Sequence, residues 1–198
     1  RIHRYTLKTL RNEIKPVTAA SYMRFLFAWH GMVERPEGEE SLMSAIDRLE
    51  GFAIPAAAWE KDILPSRIKG YMTTALDHLC LTGRMVWTRF HTTKTKTKED
   101  TSRTNKAGLL RNTPIALLDR HSVDYWRPEQ KKNSEDIKLS ANATTILNVL
   151  KEHGASFFID LVKHSGLLRT HIEEALAELA TTGLVTSDSY AGLRALIT

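Results

Sequence analysis

The stretch from Ile63 to Phe90, ILPSRIKGYMTTALDHLCLTGRMVWTRF, decides the fold. It reads as a helix followed by a strand. Pro65 and Ser66 are a helix start, because Pro suits the first turn and a Ser side chain caps free N–H groups. Ile68, Met72, Leu76, Leu79 and Cys80 recur at three- and four-residue spacing, the signature of one apolar helix face. Gly83 is the stop, since glycine takes the left-handed cap conformation without strain. Arg84 to Phe90 alternates and is rich in strand formers.

The pattern returns one hundred residues later. Ala75, Leu76, Leu79, Thr82 and Gly83 are answered by Ala175, Leu176, Leu179, Thr182 and Gly183. Upstream, Ile68 and Met72 meet Leu168 and Ile172, and Ile46 meets Ile146. Two shorter helices, a longer helix, a glycine stop and a strand make the order of a winged helix-turn-helix. An internal repeat in register predicts a mainly α chain with small β-wings, built from tandem winged helix-turn-helix modules. The expected division is a basic helical lead-in over 1–15, a first module over 16–122, a linker over 123–138 and a second module over 139–198.

The net charge is +5 and unevenly spread. Residues 1–15 set five cations against Glu13, a net of +4. Residues 89–106 set Arg89, Lys94, Lys96, Lys98, Arg103 and Lys106 against Glu99 and Asp100, again +4. Two basic segments on a mildly acidic body suit an anionic polymer; solubility alone is the competing explanation. Apolar content of 42% suffices for a core. No run approaches the ~18 apolar residues of a membrane span. The single cysteine, Cys80, forms no internal disulfide, fits a cytoplasmic setting and lies on an apolar helix face as a packed thiol. The first residues, Arg1-Ile2-His3-Arg4, lack Met and an apolar leader, which reads as a piece of a longer polypeptide.

Leu7, Leu10 and Ile14 share one face of a first helix whose other face is basic. Thr18 caps a second helix through His30, and its stripe of Tyr22, Phe25, Leu26 and Trp29 reads as core. Glu39–Leu49 is a further amphipathic helix, and Pro55–Leu64 a short one with Trp59 and Ile63 facing inward. The early residues of the next helix, among them Arg67, Lys69 and Tyr71, are then the groups that reach a groove or strand. Trp87 has two readings, a base-stacking ring or a core residue. From His91 to Lys106 the chain is Thr- and Lys-rich without an apolar residue, then Thr113–Leu118 resumes a strand. This reads as a β-wing with a long tip, where Arg89, Lys94, Lys96, Lys98, Arg103 and Lys106 are expected to neutralise phosphates without reading bases; a disordered loop that makes no contact is the competing reading. In the second module Leu139–His153, a helix capped by Ser156, and Leu167–Thr181 precede a strand at Leu184–Asp188. The exposed start of Leu167–Thr181 carries Glu173 and Glu174, which argues for packing or protein contact there.

No catalytic signature is spelled. A Gly-x-x-x-x-Gly-Lys-Ser/Thr phosphate loop, a His-Glu-x-x-His pair and a Gly-x-Ser-x-Gly elbow are all missing, and one Cys spells no zinc site. Glu60, Asp62 and Asp160 are carboxylates on ordinary helix surfaces.

Arg1–Leu7, Ser21–Trp29, Pro55–Glu60, Ile63–Arg67 and Leu81–Trp87 together resemble the large helicase-related (Lhr) family of bacterial superfamily 2 helicases. Gly154–Phe158, Glu174–Leu179 and Gly183–Asp188 with Gly192-Leu193-Arg194 add to the resemblance. It implies an accessory DNA-binding region of an ATP-dependent 3′–5′ DNA helicase linked to DNA repair. ATP and magnesium would then belong to upstream RecA-like motor domains, with no cofactor in this region. The implied partners are single-stranded or forked DNA, or an RNA:DNA hybrid, and those motor domains. The family's C-terminal extension resembles winged-helix DNA glycosylases, so a uracil-removing unit is the alternative, with no catalytic residue transferable. A packing or oligomerisation module is the third reading.

Overall fold

The computed structural model describes residues 2–13, 15–90, 110–126 and 139–197. Helices α1 (Ile2–Glu13) and α2 (Ala19–Trp29) come first. Thr18 caps α2 as its type predicts, its Oγ1 accepting from the Ser21 N–H at 3.2 Å.

The first module then runs α3 (Glu39–Asp47), β1 (Ile54–Pro55), α4 (Ala56–Ala58) continuing as a π-turn through Ile63, α5 (Thr73–Leu81), β2 (Met85–Thr88) and β3 (Pro114–Asp119). The expected wing strands pair antiparallel, with Met85 opposite Asp119 and Thr88 opposite Ala116. Together with β1 they form a sheet of order β1-β3-β2. Successive strand residues face opposite sides. Met85, Trp87, Ile115 and Leu117 therefore join Leu42, Ile46, Trp59, Leu76 and Leu79 in the main core. Ala116 and Leu118 meet Phe90 on the other face, where Val86 and Trp126 cover them. The buried Trp59 indole donates to the Ile115 carbonyl at 3.1 Å, so its N–H is not stranded in the core.

The helix expected from Pro65 onward is shorter than its apolar spacing suggests: α5 starts at Thr73. The Ser66 hydroxyl bonds back to the Ile63 carbonyl at 2.8 Å, closing the preceding turn instead of capping a new helix. Gly70 then takes a left-handed φ of 65°, and the Lys69 N–H leaves the helical path for the Pro36 carbonyl. Arg67, Lys69 and Tyr71 thus lie on the approach to α5 and not on it.

The second module holds α6 (Ala141–His153), α7 (Phe158–Ser165) and α8 (Arg169–Thr181) around Ala143, Ile146, Leu161, Ile172 and Leu179. Ser156 does not cap α7; Phe157 holds the cap position, and the Ser156 hydroxyl bonds to the Gly154 carbonyl. The two Thr-Gly stops are the same object. Gly83 N–H bonds to Cys80 O at 3.0 Å and Arg84 N–H to Leu79 O at 3.1 Å. Gly183 N–H bonds to Ala180 O at 3.1 Å and Leu184 N–H to Leu179 O at 3.0 Å. Both are Schellman caps around a left-handed glycine, with the Thr hydroxyl closing the last turn. Further upstream the register slips. Helix α8 has 13 residues against nine in α5, one turn more. Met72 and Leu168 each hold the N-cap position, so Ile172 is buried where Met72 is exposed.

No second wing forms at Leu184–Asp188. This segment instead bonds to the root of the first wing. The Thr186 hydroxyl donates to the Trp87 carbonyl at 2.6 Å, and the Trp87 indole donates to Ser187 Oγ and Ser189 O, each at 3.3 Å. The closing helix α9 (Tyr190–Ile197) then docks into the first module. Tyr190 and Leu193, with Ala177 and Ala180 of α8, belong to the main core. Tyr190 Oη donates to the Ala56 carbonyl at 2.8 Å. Arg194 grips Glu60 with two nitrogens at 2.7 Å each and reaches Asp77 at 3.1 Å. The modules share a core. Trp126, expected in the linker, also belongs to the first module: it stacks on Phe90 and covers Gly51, where an added Cβ would fall 2.4 Å from its ring.

Two substitutions test this arrangement. Arg194→Met leaves Glu60 and Asp77 facing each other without a cation. It is expected to cost about 2–3 kcal/mol, below the ~3–5 of a fully buried pair because the guanidinium is partly wet. A lower urea midpoint with unchanged slope is the readout. Trp87→Phe removes the indole donor and part of the ring, and is expected to cost about 1–3 kcal/mol in thermal unfolding while nucleic-acid affinity stays unchanged.

Candidate nucleic-acid interface

The structure sorts the sequence-derived contact residues. Lys94, Lys96, Lys98, Arg103 and Lys106 lie outside the described residues. The strands leading to that run, β2 and β3, are paired, which sets both ends of the wing connection at the same end of this strand pair.

The others separate by burial. Trp87 is 3% exposed, and the hydrogen bonds of its indole hold it in the core, so the base-stacking reading is corrected to a packing one. Arg67 is 7% exposed. One of its terminal nitrogens donates to the Ile63 carbonyl and the Ser66 hydroxyl, so it is not an open cation on a helix surface. The half-buried Tyr71 donates to Glu60 at 3.0 Å. Burial, then the Glu60 charge, pushes its phenol well above the ordinary range, so it stays protonated. Arg89 donates to the Thr181 carbonyl at the C-terminal end of α8, where the helix dipole favours a cation. Burial lowers its pKa. Lys69 alone of these five presents its ammonium broadly to solvent, paired with Glu37 at 2.7 Å. The open face of α5 carries Thr73, Thr74 and His78, with His78 held by Glu39 at 2.8 Å, and offers no Lys or Arg to a groove.

Glu60, a carboxylate singled out as a possible base, is occupied by Arg194 and Tyr71. Asp160 lies 3.7 Å from Lys163 on a helix surface. Burial pushes the Cys80 thiol up to about 12, so the thiolate is scarce near neutral pH and the residue is a packing group. Among the described residues no group of three or more His, Cys, Asp or Glu is placed to hold a metal ion. No described helix is long and apolar enough to cross a membrane.

Two features were not read from the sequence. The first is α2. Its aromatic stripe, expected in the core, is exposed: no residue of α2 is buried, and Phe25 stacks on Trp29 at 5.9 Å between ring centres. Periodicity says which residues share a face, not what covers it. The second is a cleft of about 230 Å³ where the end of α2, the helix α3 and the turn through Arg67 meet. His30, Ser41, Ser44, Arg48 and Arg67 line it. These residues are scattered over 38 positions of sequence with no motif spacing, and no local signal joins them.

Comparison with known proteins agrees with the architecture. Residues 17–105 match the family described as large helicase-related protein, winged-helix domain. Along 99% of its length the chain is 29% identical to the Lhr helicase/probable uracil glycosylase of Mycolicibacterium smegmatis and 28% identical to the Lhr helicase/uracil glycosylase of Escherichia coli. It spans 12% and 13% of the length of those two relatives. Residues 17–105 are therefore similar to the winged-helix domain of large helicase-related protein, and the whole chain is similar in sequence to a segment of two Lhr helicases.

Proposed function

We propose that this chain is an accessory, nucleic-acid-contacting region of a longer helicase polypeptide, with the chemistry of ATP hydrolysis carried elsewhere in that polypeptide. The carrying observation is the wing. Strands β2 and β3 are fixed by four paired positions, and the connection between them holds Lys94, Lys96, Lys98, Arg103 and Lys106. Cations interleaved with Thr and free of apolar residues suit phosphate contact, which positions a strand without reading its sequence. Lys69 and, on α1, Arg4, Lys8 and Arg11 are further exposed cations.

The finer reading is single-stranded or forked DNA as the ligand, an RNA:DNA hybrid being the variant of it. Translocation in the 3′–5′ direction, a role in DNA repair and magnesium-bound ATP belong to the motor domains of the longer polypeptide. Proximity to a motor would let the region hold a strand while the motor steps. Because Tyr71, Trp87 and Arg89 are engaged inside the protein and Arg67 is buried away from the face of α5, the wing tip carries the interaction and α5 contributes shape.

Fluorescence anisotropy with a labelled single strand, repeated over a salt series, tests the reading. Binding is expected at low salt, weakening with a slope of about 0.7 per contacted phosphate. Replacing the five wing cations by Gln is expected to flatten that slope by about 0.7 for each phosphate no longer neutralised. Absence of binding at low salt, or an unchanged slope in the variant, overturns it.

A further inference from the structure

The cleft between α2, α3 and the turn before α5 contains a buried cation whose charge is unanswered. Arg67 is 7% exposed, yet its hydrogen bonds go to neutral acceptors, the Ile63 carbonyl at 2.9 Å and the Ser66 hydroxyl at 3.0 Å. Its Nε is buried without a partner. Among the described residues no carboxylate pairs with it. Burying an ionised group without a counter-charge is costly, and native structures normally pair it. Burial lowers its pKa, with nothing to offset the shift. His30, on the same cleft wall, has a buried Nδ1 that also lacks a partner.

The cleft's one acidic lining residue does not supply the missing charge. Glu40 is held in two-pronged fashion by Arg84, at 2.7 and 3.0 Å. Arg48 adds a second guanidinium, of which one nitrogen donates to the Trp29 carbonyl at 2.9 Å. Ser41 and Ser44 add hydroxyls. Donors thus converge on a space with two cations and a neutralised carboxylate. The volume sets the scale. About 230 Å³ holds a phosphate-sized group and a few waters, at ~30 Å³ of liquid volume per water, and falls short of the ~300 Å³ at which cofactor pockets begin.

We propose that this cleft binds a tetrahedral phosphate-type oxyanion, held by Arg67 and Arg48 with His30, Ser41 and Ser44 completing its hydrogen bonds. The anion is either free phosphate or a backbone phosphate of a nucleic-acid strand. The exposed Trp29 and Phe25 beside the cleft would suit the second source, since aromatic faces stack on unpaired bases. The site stands whether or not the wing grips a strand.

The test uses the whole chain and inorganic phosphate as the probe. Thermal unfolding is followed as phosphate replaces chloride at constant ionic strength. A saturable rise in Tm with phosphate, and none with acetate, is expected. Arg67→Met is expected to abolish that rise while the phosphate-free Tm stays equal or increases, because an unpaired buried charge is gone. Ser44→Glu, at an exposed position, is expected to leave the fold intact and weaken phosphate binding at least about tenfold. A short oligothymidylate that removes the phosphate-dependent increment assigns the site to a strand phosphate, and one that leaves it assigns a small anion. No saturable rise in the unsubstituted chain, an equal rise with acetate, or unaltered phosphate binding in Ser44→Glu overturns the proposal. The wing experiment can fail while this one succeeds, and the reverse, because the cleft and the wing cations share no residue.

Discussion

Arg194 holds the molecule together as one body. Its guanidinium lies between Glu60 of the π-turn and Asp77 of α5, two carboxylates from neighbouring elements of the first module. Glu60 and Asp77 would repel without it. With it, both are neutralised in a largely dry setting, and Tyr71 adds a further bond to Glu60. A planar fork can satisfy two carboxylates at once, which an ammonium cannot do with the same geometry. The contact spans 134 residues of sequence to Glu60, so the last helix is tied to the front half of the chain.

Further contacts join the second module to the first. A winged helix normally continues from its third helix into a wing. Here the chain after Gly183 is already engaged. Thr186, Ser187 and Ser189 bond to Trp87, and Arg89 caps the end of α8. The Thr186 and Ser187 hydroxyls and the Ser189 carbonyl bond to the first wing's root, and no strand forms at Leu184–Asp188. Gly183 sits against the Arg89 carbonyl, where a Cβ would lie 3.0 Å away, so its hydrogen serves a close approach as well as a left-handed turn. The order of three helices and the Thr-Gly cap is repeated, while the register slips upstream of the cap and no second strand follows it.

Packing also reassigns the charged and aromatic residues. A cation near the start of a recognition-type helix, or a Trp on a wing strand, suggests an open interface, yet Arg67 is buried at the cleft and Trp87 is packed in the core. The exposed aromatic helix α2 and the cation-lined cleft at its end lie elsewhere on the same module. Among the described residues, Lys69 and the α1 residues Arg4, Lys8 and Arg11 are cations with exposed side chains.

The sequence by itself determined the local structure. The Thr-Gly stops, the Thr18 cap, the paired alternation of Met85–Thr88 with Pro114–Asp119 and the hundred-residue repeat are short-range matters of backbone preference and side-chain period. They were legible because a cap or a pleat is satisfied within a few residues. Two local signals misled for the same reason: Ser66 has a second acceptor behind it in Ile63 O, and Gly70 breaks a spacing that apolar residues alone would continue. Tertiary structure alone decided where the faces go. Whether Trp29 is covered, whether Trp87 stacks or packs, whether Arg67 meets a carboxylate and whether Leu184 enters a strand each depend on a partner tens of residues away. Hydrophobic burial and ion pairing are set by neighbours in space, and periodicity carries no information about who those neighbours are.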